Sequence, residues 1–184
     1  APTQCAGCGL SASSQCAGCM DAPEYERGNA IPTFYCGAKC QTSHWAIHKA
    51  RCTNLKKRRR LLRVAAILRV ALLTYREALF DIPLTKIELR DGVLFLHRQL
   101  FANASPRRFP QHLTTNMAHK EAALTHNQCT LALALLGPLA RKLLADIASF
   151  IQHLDLAIGQ PVLSTKLVEG GTDSSGAPHT VLKV

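Results

Sequence analysis

Seven of the eight cysteines in this chain fall within its first 52 residues, and with one histidine they form four short-spaced pairs. The order is Cys5-x2-Cys8, Cys16-x2-Cys19, Cys36-x3-Cys40 and His48-x3-Cys52. Thiolates and imidazole are soft ligands, and eight of them are the number that two tetrahedral zinc ions require. A lone Cys-x2-Cys is a common accident; four consecutive pairs with no ligand left over are not. The pattern therefore predicts two structural zinc ions, each closed by four protein ligands with no position for water. A disulfide framework is the competing reading of paired cysteines in a small module. Against it stand the odd number seven, the zinc-knuckle distances, and a histidine that only a metal would recruit. No hydrophobic leader run precedes Cys5, and metal-binding thiolates fit a reducing compartment. The nucleus, the cytoplasm or both are the expected location.

The stretch 41–51 contains no Gly or Pro and predicts a helix. On it His48 and Cys52 stand four apart, on one face and one turn removed, as two ligands of one ion must be. Cys40 lies eight residues before His48, roughly 12 Å along a continuous helix. Two ligands of one zinc lie within about 4 Å of each other. Cys36/Cys40 and His48/Cys52 therefore serve different ions, and each borrows a pair from upstream. The wiring is interleaved, and geometry leaves open which upstream pair goes where.

The run Tyr35-Cys36-x3-Cys40-Gln41-x3-Trp45-x2-His48-Lys49-x2-Cys52, preceded by two Cys-x2-Cys pairs, resembles a MYND-type zinc finger over residues 5–52. The resemblance implies that the first and third pairs share one zinc and the second and fourth the other. Site one would be Cys5, Cys8, Cys36 and Cys40; site two would be Cys16, Cys19, His48 and Cys52. The sixteen-residue spacer from Met20 to Tyr35 is longer than usual for that family and, with Pro23, Gly28 and Pro32, reads as an enlarged loop. The resemblance further implies a protein–protein interaction module, with transcriptional regulation as its setting. Gln41 and Trp45 would line a shallow groove for a short proline- and leucine-containing peptide of the partner. The plainer alternative is that Trp45 packs the small core between the zincs.

Metal changes the charge balance. Through Arg51 there are four Lys/Arg against three Asp/Glu, and seven thiolates with two Zn²⁺ carry the folded finger to about −2. That disfavours a phosphate-gripping finger, and nucleic acid is not the expected partner. The chain's formal +10 is concentrated in Lys56-Lys57-Arg58-Arg59-Arg60 and Arg63. This block reads as a solvated helix face, a nuclear import signal or, in the third alternative, a nucleic-acid contact. Aromatic residues are only 5% of the chain, which leaves few platforms for stacking bases.

Two domains are expected, a finger at 1–53 and a helix-rich α+β domain at 54–184; beyond residue 53 no family resemblance is found. Residues 55–80 predict a long helix whose apolar face is Leu61, Ala65, Leu68, Leu72, Tyr75 and Leu79. No apolar run reaches the roughly 18 residues of a membrane span. Residues 85–90 and 93–97 flank Asp91-Gly92 and predict a hairpin with a type I′ turn. A second helical region is expected over about 111–136, broken at Gly137-Pro138, with a further helix from Pro138 to about 154. Runs 162–168 and 179–184 read as strands around a Gly/Ser-rich loop at 170–176. The last run ends with the chain, so either the parent protein continues or this strand is an unpaired end.

Enzymatic signals are poor. There is neither a Gly-rich phosphate loop after a strand nor a Gly-x-Ser-x-Gly elbow. One class of lysine methyltransferases inserts a similar finger into a SET domain, which makes a SET-like fragment the enzyme alternative. Thr125-His126-Asn127-Gln128-Cys129 is a poor imitation of its cofactor motif, and SET is strand-rich where 54–184 reads helical. A non-enzymatic chain is expected. His112, His119 and His126 recur every seven residues, about 10.5 Å apart on a helix and too far to share an ion. They are expected on the surface, with Cys129 as a small buried apolar residue.

Overall fold

The computed structural model describes residues 3–99, 105–157, 163–168 and 179–184. The protein is α+β and divides into two compact units, Ala1–Ala66 and Ile67–Val184. In the first, an antiparallel pair of two-residue strands, β1 (Ser14–Gln15) and β2 (Phe34–Tyr35), sets Ser14 opposite Tyr35 and Gln15 opposite Phe34. A bridge between Gln4 and Ser11 closes the preceding knuckle loop. The helix α1 (Ala38–Ala78) begins three residues after β2. The core of this unit is Cys5, Ala12, Cys16, Cys19, Tyr35, Cys52 and Leu55. Most of its members are cysteines, so apolar burial alone is a weak organiser here and metal ligation must supply much of the folding free energy.

Two predicted helices, 41–51 and 55–80, are one helix of 41 residues. The reason lies in composition, since neither Gly nor Pro occurs anywhere in 38–78. Its buried face differs by about one residue from the expected one. Val64 and Arg76 are buried, whereas Ala65 and Leu79 are exposed. Arg76 can be buried because its guanidinium is paired on both Nε and Nη2. Nε donates to the Leu124 carbonyl at 3.1 Å and Nη2 pairs with Asp81 at 2.7 Å.

In the second unit the predicted hairpin is present as β3 (Leu84–Arg90) and β4 (Val93–Arg98). Asp91 and Gly92 turn it with φ of 50° and 76°, the two positive values a type I′ turn needs. The strand β6 (Ser164–Val168) joins β4 in parallel, Val93 opposite Ser164 and His97 opposite Val168. A separate pair, β5 (Gln152–Leu156) and β7 (His179–Lys183), runs antiparallel. Phe80, Leu84, Leu94, Leu96, Phe109, Ala123 and Leu124 form the core, with Phe80 and Phe109 edge-to-face at 5.0 Å. The Gly/Ser-rich loop expected at 170–176 and the first residue of the run 162–168 lie outside the described residues.

The helical region after residue 110 departs from expectation. Residues Gln111–Leu113 form a single 3-10 turn, and α2 (Met117–Thr125) starts only where Asn116 caps it by accepting from the Ala118 and His119 amides at 2.9 and 3.2 Å. Asn127, at φ 54°, separates α2 from α3 (Cys129–Leu144). The expected break at Gly137-Pro138 does not occur, because α3 runs straight through it. Proline disfavours helix in the residue before it by striking that residue's N–H and Cβ, and Gly137 has no Cβ, which removes part of the clash. The helix then ends at Leu144, and residues expected to be helical up to about 154 instead lead into β5.

Candidate metal centre

The eight predicted ligands gather into two sets. Cys5, Cys8, Cys36 and Cys40 form one, and Cys16, Cys19, His48 and Cys52 the other, with every ligand atom of a set within 4.8 Å of the rest. The continuous helix delivers this partition. Cys40 lies in its first turn, while His48 and Cys52 share its inward face two and three turns on. In site one, Cys36 Sγ lies 3.5 Å from Cys40 Sγ and 3.6 Å from Cys8 Sγ. In site two, His48 turns Nε2 to within 3.2 Å of Cys19 Sγ, and Cys16 and Cys52 sulfurs are 3.8 Å apart. Such spacings match the edges of a tetrahedron with bonds of about 2.0–2.3 Å.

The donor chemistry demands a cation. Hydrogen bonding of the neutral Cys36 thiol to neighbouring sulfurs, with its donation to Cys40 first, pushes it up to about 12; burial, reinforced by Cys16, does the same to Cys19. Four sulfurs this close cannot all ionise unless a positive charge sits among them, and Zn²⁺ inverts the preference outright. Knuckle amides already lean that way. The Cys36 backbone amide, with those of Gly7 and Cys8, brings Cys5 down to about 6. Burial holds His48 below the usual imidazole value, which keeps it neutral and available as a ligand. Two structural Zn²⁺ ions fit these sites. Site one would be a tetrathiolate, and site two would pair three thiolates with imidazole.

The knuckles owe their tightness to a repeated Cys-Ala-Gly-Cys at 5–8 and 16–19. A Cβ on Gly7 would stand 3.0 Å from both Cβ and O of Cys40; one on Gly18 would collide with the Cys52 sulfur and lie 2.6 Å from Lys56 Cε. Sequence reasoning fixed the ligands but passed over these glycines, although the repeat was the available signal. It also missed the fate of the basic block. Arg59 Nη1 donates to the Ala17 and Met20 carbonyls at 3.2 and 2.7 Å, and Arg58 Nη1 donates to Asn29 Oδ1 at 2.7 Å with its guanidinium over the Tyr25 ring. Arg51 reaches the Ile31 carbonyl at 2.8 Å. These arginines clasp the enlarged loop, whereas Lys57, Arg60 and Arg63 stay exposed.

Gln41 is half-buried and donates Nε2 to Cys16 Sγ at 3.8 Å, a contact onto a ligand of site two. Trp45 does not fill the core. It meets His48 edge-on at 6.2 Å between centroids and is 38% exposed. A groove of about 600 Å³ opens elsewhere on the finger, between His44, Ile47 and Arg51 of α1 and Ile31, Pro32 and Phe34. On a helical wheel these three α1 positions fall on the flank of the ligand face away from Trp45. No sequence signal marked it, since its walls come from distant segments.

Of the remaining candidates, His112 is exposed, but His126 is buried with Nδ1 2.8 Å from Thr165 Oγ1 and is no surface histidine. Cys129 is half-exposed rather than buried. Among the described residues no third metal-binding group occurs. Among them, too, no helix is long and apolar enough to cross a membrane.

Two interleaved tetrahedra on a pair of knuckles and one helix define the class, a small binuclear zinc finger. Residues 5–52 match the family model of the MYND finger, with no family match over the remainder. A MYND finger is a zinc-binding protein-interaction module. No curated protein and no solved structure matches the chain.

Proposed function

We propose that the finger docks a short proline- and leucine-containing peptide of a partner protein across Gln41 and Trp45, in the setting of transcriptional regulation. The observation that carries this reading is the position of Trp45. The chain's single tryptophan sits on the helix that supplies three zinc ligands, packed on one side against His48 yet 38% exposed, so that part of its indole remains open to a partner. An indole is a flat apolar platform with a low ordering cost, which is why tryptophan dominates binding hot spots. Gln41, one turn earlier, is oriented by its bond to Cys16 and can fix the peptide backbone. The reading makes the finger a binding rather than a catalytic element, working in the reducing nucleus or cytoplasm.

The test uses the intact, zinc-loaded chain and a library of proline- and leucine-rich peptides. Trp45→Ala should keep two equivalents of zinc while weakening the best peptide by about thirtyfold, the size of a hot-spot loss. Unchanged affinity in that variant overturns the reading. A titration with S-adenosylmethionine addresses the methyltransferase alternative, and saturable binding there would favour it.

A further inference from the structure

The two metal sites are unequal in ways that bear on chemistry at sulfur. In site two every ligand is shielded, with exposures of 1–3% for Cys16, Cys19, His48 and Cys52. In site one only Cys5 is so covered; Cys8 and Cys36 are exposed and Cys40 is half-exposed. With zinc bound, four thiolates leave site one at −2, while three thiolates and a neutral imidazole leave site two at −1. Site two is also attended by polar side chains. Gln41 Nε2 donates to Cys16 Sγ, and Lys56 lies across the Gly18 knuckle beside Cys52. Among the described residues no side-chain amide or cation bonds a sulfur of site one. Hydrogen bonds and positive charge draw electron density from a metal-bound thiolate and blunt its nucleophilicity, so site one keeps the more reactive sulfurs.

We propose that site one is a modification site, at which Cys8 and Cys36 react with peroxide-class oxidants while site two is spared. The Cys8 thiolate attacks peroxide, forming an S–O bond as the O–O bond breaks and hydroxide leaves with the electron pair. Cys36, 3.6 Å away, then attacks the Cys8 sulfur; an S–S bond forms, the S–O bond breaks and a second hydroxide departs. Two electrons have passed from sulfur to peroxide, and the ion, left with two of its four ligands, is released. The product keeps one zinc. Cys16, Cys19, His48 and Cys52 still hold α1 at residues 48–52, while the knuckle loop closed by Gln4 and Ser11 and the first turn of α1 lose their cross-link. Gln41 follows Cys40 directly, so the modification acts next to the proposed peptide platform.

The experiment uses the full two-zinc chain in a Cys129→Ser background, which removes the one thiol outside the finger. Hydrogen peroxide is added, zinc release is followed with a chromogenic chelator, and cysteines are mapped by differential alkylation and mass spectrometry. One equivalent should leave at least about tenfold faster than the second, with Cys8 and Cys36 oxidised and the site-two sulfurs intact. Cys8→His, which keeps four ligands and removes one negative charge, should slow that first phase by about tenfold or more. Loss of both ions with a single rate constant, or earlier oxidation of Cys16, Cys19 or Cys52, overturns the proposal. Wild-type kinetics decide it even if Cys8→His fails to load.

Discussion

Replacing Arg58 and Arg59 together by alanine removes the clasp on the enlarged finger loop without touching a zinc ligand. Three bonds of good length are lost, at 2.7 Å to Asn29, 2.7 Å to Met20 and 3.2 Å to Ala17. Each contributes about 0.5–1.5 kcal/mol net, and the guanidinium over Tyr25 adds about 0.5–1 kcal/mol at a site this exposed. These are net contributions that already include side-chain ordering, and at partly exposed positions the lower end applies, so about 2–3 kcal/mol of finger stability should disappear. Metal binding and folding are one equilibrium in a module whose core is mostly cysteine, so the loss is read as zinc affinity. At about 1.4 kcal/mol per factor of ten, apparent affinity should fall by roughly 30–100-fold in a competition titration against a chromophoric chelator. The matched control is Arg60→Ala with Arg63→Ala, which removes the same charge from exposed positions on the same helix. Equal effects of the two double variants would mean that net charge rather than the clasp sets affinity, and no effect of either would refute the argument.

Other outcomes follow from the same geometry. Cys36→Ser should abolish the ordered finger by circular dichroism and NMR, as should excess chelator on the wild type; a folded, metal-free finger in either case would contradict metal-driven folding. Phe80→Ala, at a fully buried ring against Phe109, should cost about 3–5 kcal/mol, measured by hydrogen exchange of second-unit amides. The bond from Lys120, which outweighs partial burial, holds the Glu77 carboxyl below its ordinary value of 4.5. Its contribution is therefore complete above that value and is lost as pH falls through the depressed one. Glu77 is 41% exposed, so solvent screening keeps this below about 1 kcal/mol. Glu77→Gln should flatten only that acid limb of second-unit hydrogen exchange; an unchanged limb would count against the pairing.

Ligand positions were legible because coordination is local chemistry. Spacings of two and three residues, and eight residues of helix between Cys40 and His48, are enough to require an interleaved arrangement. The β3–β4 hairpin was equally legible, since Asp91-Gly92 states its own turn type. What could not be read was whatever depends on a partner distant in sequence. Arg58 and Arg59 look like part of a solvated cluster until the carbonyls of Ala17 and Met20 and the side chain of Asn29 are placed beside them. The same holds for Arg76, whose burial depends on Asp81 and a carbonyl at the end of α2. Gly137-Pro138 misled for a subtler reason: one part of what makes proline break helices is its clash with the preceding Cβ, and here that atom is missing, so only the lost amide bond and the ring's crowding of an earlier carbonyl remain to be absorbed.

The interleaved wiring has a consequence for synthesis on the ribosome. Neither ion can be captured by the amino-terminal knuckles alone, because each needs a pair that is translated later. Site one stays open until Cys40 has emerged and site two until Cys52, with Arg58 and Arg59 following before the loop is secured. The nascent chain must therefore keep its first four thiols reduced, and out of a mispaired tetrathiolate of their own, through the translation of some thirty further residues before both native sites can close.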